Sequence, residues 1–137
     1  GLKLPISGTV FISVNDYDKK YIIEPAKKLA GLGFGIKATK GTKDLLEKNG
    51  ISCELAVKMH EGRPNITDDI ANRQVNLIIN TPVGREGKYD DSYIRKAAIK
   101  YKIPYITTIA AAKAAVEGIA DIKSGGIEVK ALQDYYK

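Results

Sequence analysis

The feature that most constrains this chain is a regular switch of hydrophobic period along its length. Thr9-Val10-Phe11-Ile12-Ser13-Val14 is a short β-branched run, which predicts a strand. Asn15 and Asp16 follow as turn residues. From Lys19 to Leu32 the apolar residues Ile22, Ile23, Ala26, Leu29 and Ala30 recur at helical spacing, with Asp18 as the expected cap and Pro25 as a point of strain. The same exchange then repeats. Strands are predicted at Phe34–Ala38, Cys53–Val57, Val75–Asn80 and Pro104–Thr107. Helices are predicted at Thr42–Asn49, Thr67–Asn72, Ser92–Tyr101 and Ala110–Ile119. A short piece near Ile127–Val129 precedes a last helix over Ala131–Tyr136. Strands alternating with helices predict a parallel sheet covered on both faces.

Composition narrows the class without naming a function. A chain of 137 residues fits one domain, 1–137, and its 44% hydrophobic and 28% charged residues are ordinary for a globular protein. The longest apolar stretch, Thr107 to Val116, is interrupted by Lys113 and is too short for a membrane span. The opening Gly-Leu-Lys-Leu-Pro lacks the apolar segment of a signal peptide, and the missing initiator methionine reads as excision from a longer chain. One cysteine, Cys53, excludes an internal disulfide and fits a reducing, cytoplasmic setting; with a single histidine, His60, no zinc site of His and Cys is expected. The net charge of +6 is spread, with no run of five basic residues and no interleaving of tyrosine with arginine. That reads as a solvated surface, with no nucleic-acid partner expected.

Parallel sheets bind ligands beyond the carboxyl ends of their strands, so the loops after Val14, Ala38, Val57, Asn80 and Thr107 are the ones to inspect. Ala38-Thr39-Lys40-Gly41-Thr42 leads into a helix and offers free amides, two hydroxyls and a lysine to an anion. It is not a Walker loop, and Gly31, Gly33 and Gly35 follow a helix, so they are no dinucleotide fingerprint. Lys58 and Arg63 could meet a phosphate or carboxylate. His60 reads as a solvated or hydrogen-bonded loop residue, because no nucleophile stands beside it. Asn80 can hydrogen-bond a ligand edge, Lys88 to Asp91 reads as a mobile polar segment, and Thr107-Thr108 forms a second hydroxyl-rich helix entry. Asp16, Asp18, Asp90 and Asp91 read as turn or cap residues, and Cys53 as a small buried side chain.

The strings ATKGT (38–42), KMHEGRPNITDDI (58–70), INTPVGR (79–85) and IPYITT (103–108), with Leu4-Pro5, Gly8, Ser13-Val14 and Asp18-Lys19, resemble the C-terminal allosteric domain of carbamoyl phosphate synthase large subunits. The resemblance runs in register over nearly the whole chain. It places the chain in the methylglyoxal-synthase-like superfamily and implies a three-layer α/β/α fold around a five-stranded parallel sheet with Rossmann-like winding. It also implies a regulatory domain without catalytic residues or a cofactor of its own, within a glutamine-hydrolysing, ATP-dependent ligase of pyrimidine and arginine biosynthesis. ATP with Mg or Mn would act in other domains of the large subunit, and the remaining partner would be the glutaminase small subunit.

By the same resemblance, Thr39, Thr42, Lys58 and Asn80 form a pocket for a nucleotide such as UMP, with IMP as a variant. Ser13 and Lys19 are further phosphate-side contacts, and Thr107 is the contact for ornithine. Pro82 stands where some bacterial members carry threonine. Lys58 stands where the N-acetylglutamate-regulated branch carries an aromatic residue, which favours a phosphate ligand. Methylglyoxal synthases share the threonine loop but carry two aspartates, in glycine-glycine-aspartate and tryptophan-aspartate-proline strings. The matching places here read Gly62-Arg63-Pro64-Asn65 and Thr81-Pro82, so the bases for proton transfer are absent. A lyase acting on dihydroxyacetone phosphate is therefore the alternative reading, and the related cyclohydrolase domain of purine synthesis a weaker third.

Overall fold

A computed structural model describes residues 3–57, 64–81 and 88–124. Five strands form one all-parallel sheet: β1 (Thr9–Ser13), β2 (Gly35–Ala38), β3 (Glu54–Leu55), β4 (Leu77–Asn80) and β5 (Tyr105–Ile106), in the order β3-β2-β1-β4-β5. The helices between and after them are α1 (Lys19–Gly31), α2 (Lys40–Lys48), α3 (Ile66–Ala71), α4 (Lys88–Lys100) and α5 (Ile109–Ser124). Alternation along β1 feeds two cores. Val10 and Ile12 join Ile22, Ala26, Leu29, Leu46, Val116 and Ile119 from α1, α2 and α5. Phe11 joins Ile66, Ile70, Ile94 and Ala98 from α3 and α4. Both faces of β4 are buried, which is why its sequence is a continuous apolar run with no alternation. The expected three-layer α/β/α architecture is therefore present.

Element boundaries differ from the sequence reading in instructive ways. α2 starts at Lys40, ahead of the expected Thr42, because Thr39 is extended (ψ 159°) and its carbonyl accepts from the Lys43 amide at 2.7 Å. Gly41, a weak helix former, hid that first turn. α4 starts at Lys88, so the segment expected to be mobile is the helix's polar first turn. α1 runs unbroken through Pro25, which is buried within it. Asp18 is at the cap position of α1 without a side-chain cap bond; Asn15 Oδ1 accepts from the Asp18 amide instead, at 2.9 Å. β3 is shorter than expected, although the Ala56 amide still reaches Ala38 O at 2.8 Å. The expected elements at 127–129 and 131–136 lie outside the described residues.

One ion pair locks the layers together. Lys37 of β2 extends from the sheet face that carries Phe11, and its Nζ meets Asp69 Oδ2 of α3 at 2.9 Å, with both side chains largely buried. At the other end of the sheet, Gly8 adopts φ 112°, where a Cβ would collide with the Asn76 side chain that accepts from the Thr9 amide.

Candidate functional site

Register places the polar residues in one row. Ile12 of β1 pairs with Ala38 of β2 and Ile79 of β4, and Ile79 pairs with Ile106 of β5. One step further along each chain come Thr39, Ser13, Asn80 and Thr107. Ser13 and Asn80 are themselves register partners. The row marks the carboxyl edge of the sheet. It crosses from β1 to β4, where the connections leave in opposite directions and where open α/β sheets form their ligand crevice.

Hydroxyls and amides cluster on the β2 side of that row. Thr39 Oγ1 donates to Ser13 Oγ at 3.1 Å and lies 3.5 Å from Thr42 Oγ1, all three side chains being buried. Thr42 Oγ1 also accepts from the Val14 amide at 3.3 Å, which ties the first turn of α2 to the end of β1. Thr39 makes no side-chain cap bond to the backbone of α2, so its hydroxyl does not occupy the first-turn amides of that helix. Lys19 completes the cluster from α1. A Cβ added to Gly41 would stand 3.1 Å from Lys19 Nζ, so the ammonium rests against the start of α2. Lys19 also bonds Asp16 Oδ1 at 2.7 Å, and that bond holds the exposed Asp16 carboxyl below its usual value. Hydroxyl donors, a lysine and the positive end of a helix are the chemistry of an oxyanion cradle.

The β4 side of the row is built differently. Asn80 is 1% exposed. Its Nδ2 donates to Asp91 Oδ1 of α4 at 3.0 Å and to the Tyr105 hydroxyl of β5 at 2.9 Å. Burial pushes the Tyr105 phenol up from its ordinary value, while the Asn80 hydrogen bond acts the other way. Thr81, also buried, accepts from the Asn15 amide at 2.9 Å and donates its own amide to Ser13 O, fastening the two central loops together.

The structure thus brings Ser13, Lys19, Thr39 and Thr42 together and sets Asn80 one strand away. Thr107 follows β5 and is exposed, while Thr108 Oγ1 accepts from the Ala111 amide at 3.1 Å as the cap of α5. Lys58, His60, Arg63, Pro82 and Arg85 lie outside the described residues. Sequence spacing marks neither Tyr105 nor Thr81 as a site residue. For Asp91 the sequence suggests a turn or cap residue, and the signal that it faces the sheet is only its place on the first turn of a helix that follows Asn80.

Asn65, which closes the string Gly62-Arg63-Pro64-Asn65, serves the backbone. Its Oδ1 accepts from the Thr67 amide at 3.0 Å and from Thr67 Oγ1 at 2.6 Å, and Asp68 Oδ2 accepts from the Asn65 amide at 2.8 Å. This is a capping box for α3. Among the described residues no cluster of three or more His, Cys, Asp or Glu could hold a metal, and no helix is long and apolar enough to cross a membrane.

Among the cavities lined by described residues, two that lie away from the row bear on where a ligand could sit. One of about 390 Å³ sits at the strand-start end, bordered by Thr9, Gly35, Lys37 and Cys53. The other, about 200 Å³, lies between α1 and α5 beside Pro25 and Val116. Burial raises the Cys53 thiol above its ordinary value, and its Sγ donates to Ile51 O at 3.4 Å. A raised pKa means less thiolate at any pH below it. At pH 8, iodoacetamide should therefore alkylate Cys53 about threefold or more slowly in the folded chain than in urea, a difference that timed mass spectrometry can measure.

Residues 21–107 match the MGS-like domain family. The chain is 51% identical over 138 residues to the carbamoyl phosphate synthase large chain, C-terminal section, of Methanopyrus kandleri, covering 100% of this chain and 26% of that protein. It is 47% identical to the large chain of Mesorhizobium japonicum, covering 99% of this chain and 12% of the other. To the large chain of Archaeoglobus fulgidus it is 49% identical, covering 100% and 13%. The chain therefore spans between 12% and 26% of the length of these relatives. Among solved structures, methylglyoxal synthase from Elizabethkingia anophelis NUHP1 superposes with a TM-score of 0.65 at 21% identity, covering 85% of this chain and 82% of that one. ForH gives 0.60 at 19% identity, covering 88% and 82%. At such identities the structural likeness establishes the fold alone.

Proposed function

Because the chain belongs to the MGS-like domain family and its whole length aligns with part of carbamoyl phosphate synthase large chains, we propose that it is the regulatory, effector-binding domain of such a synthase. Its effector is a nucleoside monophosphate such as UMP, with IMP and ornithine as further candidates. The ligase chemistry belongs to other parts of the large chain and to its glutaminase partner. The observation that carries this reading is the cradle of Ser13, Thr39 and Thr42 hydroxyls beside Lys19 at the switch in strand order. It provides donors and positive charge for a phosphate. By resemblance, Lys58 adds a further charge to the same ligand.

The fold neighbour is a methylglyoxal synthase, so the lyase reading is the one to set against it. It is disfavoured because Asn65 is committed to capping α3, while two carboxylates at this edge are engaged: Asp16 with Lys19, and Asp91 with Asn80. Neither of these carboxylates is left poised to take a carbon-bound proton.

Calorimetric titration of the chain with UMP, IMP, ornithine and N-acetylglutamate, beside incubation with dihydroxyacetone phosphate, separates the two readings. The expected result is saturable binding of a nucleoside monophosphate and phosphate release from the triose no faster than in buffer. Steady turnover of the triose phosphate would replace the regulatory reading with the lyase.

A further inference from the structure

Asn80 Oδ1 is a buried oxygen with no hydrogen-bond partner. The other end of the same amide is fully engaged, since both Nδ2 hydrogens are donated, to Asp91 and to Tyr105. A carboxylate can only accept, so the end of the amide that faces Asp91 must be the nitrogen. The orientation is thereby fixed by chemistry, and a flipped amide would set carbonyl oxygen against carboxylate. β4 lies between β5, which supplies Tyr105, and β1, which supplies Ser13. With the nitrogen turned to β5 and α4, the carbonyl is the end left for the β1 side, about 4.8 Å or one strand spacing from the hydroxyl chain.

We propose that Asp91 and Tyr105 are positioning residues that hold the Asn80 amide as an acceptor for a hydroxyl on the ligand, one strand spacing from its phosphate. In a nucleoside monophosphate the group at that separation is a sugar hydroxyl, so the pair selects for the sugar while the cradle holds the phosphate. This inference rests on the nucleotide-binding reading. The half-buried phenol supports it, because a neutral Tyr105 hydroxyl accepts from Asn80 and keeps its own proton to donate. Replacing the Asp91 carboxylate by a carboxamide, in Asp91→Asn, conserves volume but lets either an oxygen or a nitrogen face the Asn80 amide. That substitution therefore releases the orientation.

The test compares UMP, 2′,3′-dideoxyuridine monophosphate and inorganic phosphate by calorimetry on wild type, Asp91→Asn and Tyr105→Phe. Wild type should prefer UMP to the dideoxy analogue by about tenfold, the effect of one hydrogen bond to an otherwise unmatched acceptor. Asp91→Asn should bring that ratio to about one, and Tyr105→Phe should lower it by a smaller factor. Affinity for inorganic phosphate should stay level in all three, which also reports that the variants are folded. A ratio unchanged in Asp91→Asn would overturn the proposal. Hydrogen exchange of the Asn80 side-chain amide, followed by NMR, supplies an arm that needs no ligand. Slow exchange in wild type and faster exchange in Asp91→Asn support the lock. An Asn80 amide that exchanges as freely as an exposed one overturns it. Wild type that binds no UMP while this amide stays protected would defeat the nucleotide reading and leave the lock standing.

Discussion

Thr39→Val should lower the affinity for UMP by about ten- to a hundredfold, and the affinity for inorganic phosphate by the same factor. The Thr39 hydroxyl is buried, it is not spent on the amides of its own helix, and it sits between Ser13 Oγ and Thr42 Oγ1. A hydrogen bond to a charged group contributes about 1.5–3 kcal/mol, and each 1.4 kcal/mol is roughly tenfold in affinity. Valine keeps the branched shape and extended backbone, so the fold should lose only about 1 kcal/mol, the ordinary net worth of the neutral bond to Ser13. Calorimetry with both ligands and urea denaturation measure the two effects separately. Equal affinity in wild type and variant would show that the phosphate does not reach this hydroxyl. A loss for UMP without a loss for phosphate would place Thr39 against another part of the nucleotide.

Phe11→Ala should destabilise the chain by about 3–5 kcal/mol, the usual cost of deleting a fully buried aromatic side chain. Phe11 is fully buried and is the sheet's central contribution to the core under α3 and α4. Against a typical domain stability of about 5–15 kcal/mol, that loss takes a large share of the whole. Ile99→Ala is the matched control, since Ile99 is 68% exposed and its truncation should cost no more than about 0.5 kcal/mol. The urea midpoint should fall sharply for the first variant and hardly move for the second, with similar slopes. Equal midpoints for the two would mean that the α3–α4 layer does not cover the sheet.

The order of elements was legible because their periods differ: β-branched runs over 9–14 and 75–80 against helical spacing over 19–32. Boundaries were legible only where apolar residues marked them. α2 and α4 both begin with a polar turn, at Lys40-Gly41 and at Lys88, and in both cases that turn lies at the sheet edge where the polar row runs. Only part of each turn points inward: Thr42 is buried and Asp91 reaches Asn80, while Lys40 stays exposed. Ser13, Thr39, Thr42 and Asn80 could be proposed from their place after strands and from the resemblance. Their separate duties could not, because Thr42 bracing Val14 and Asn80 held by Asp91 and Tyr105 depend on contacts 11 to 28 residues apart in the chain. Tyr105 in particular reads from sequence as one more aromatic residue in a strand. Only the pairing of β5 with β4 brings its hydroxyl to Asn80.

A crystal structure of the chain soaked with UMP would locate the phosphate directly. It is expected within hydrogen-bond distance of Thr39 Oγ1, Ser13 Oγ and the first amides of α2, with Lys19 Nζ alongside. A phosphate seated instead in the strand-start cavity beside Thr9, Gly35 and Lys37, or between α1 and α5, would contradict the assignment of the effector site to the carboxyl edge of the sheet.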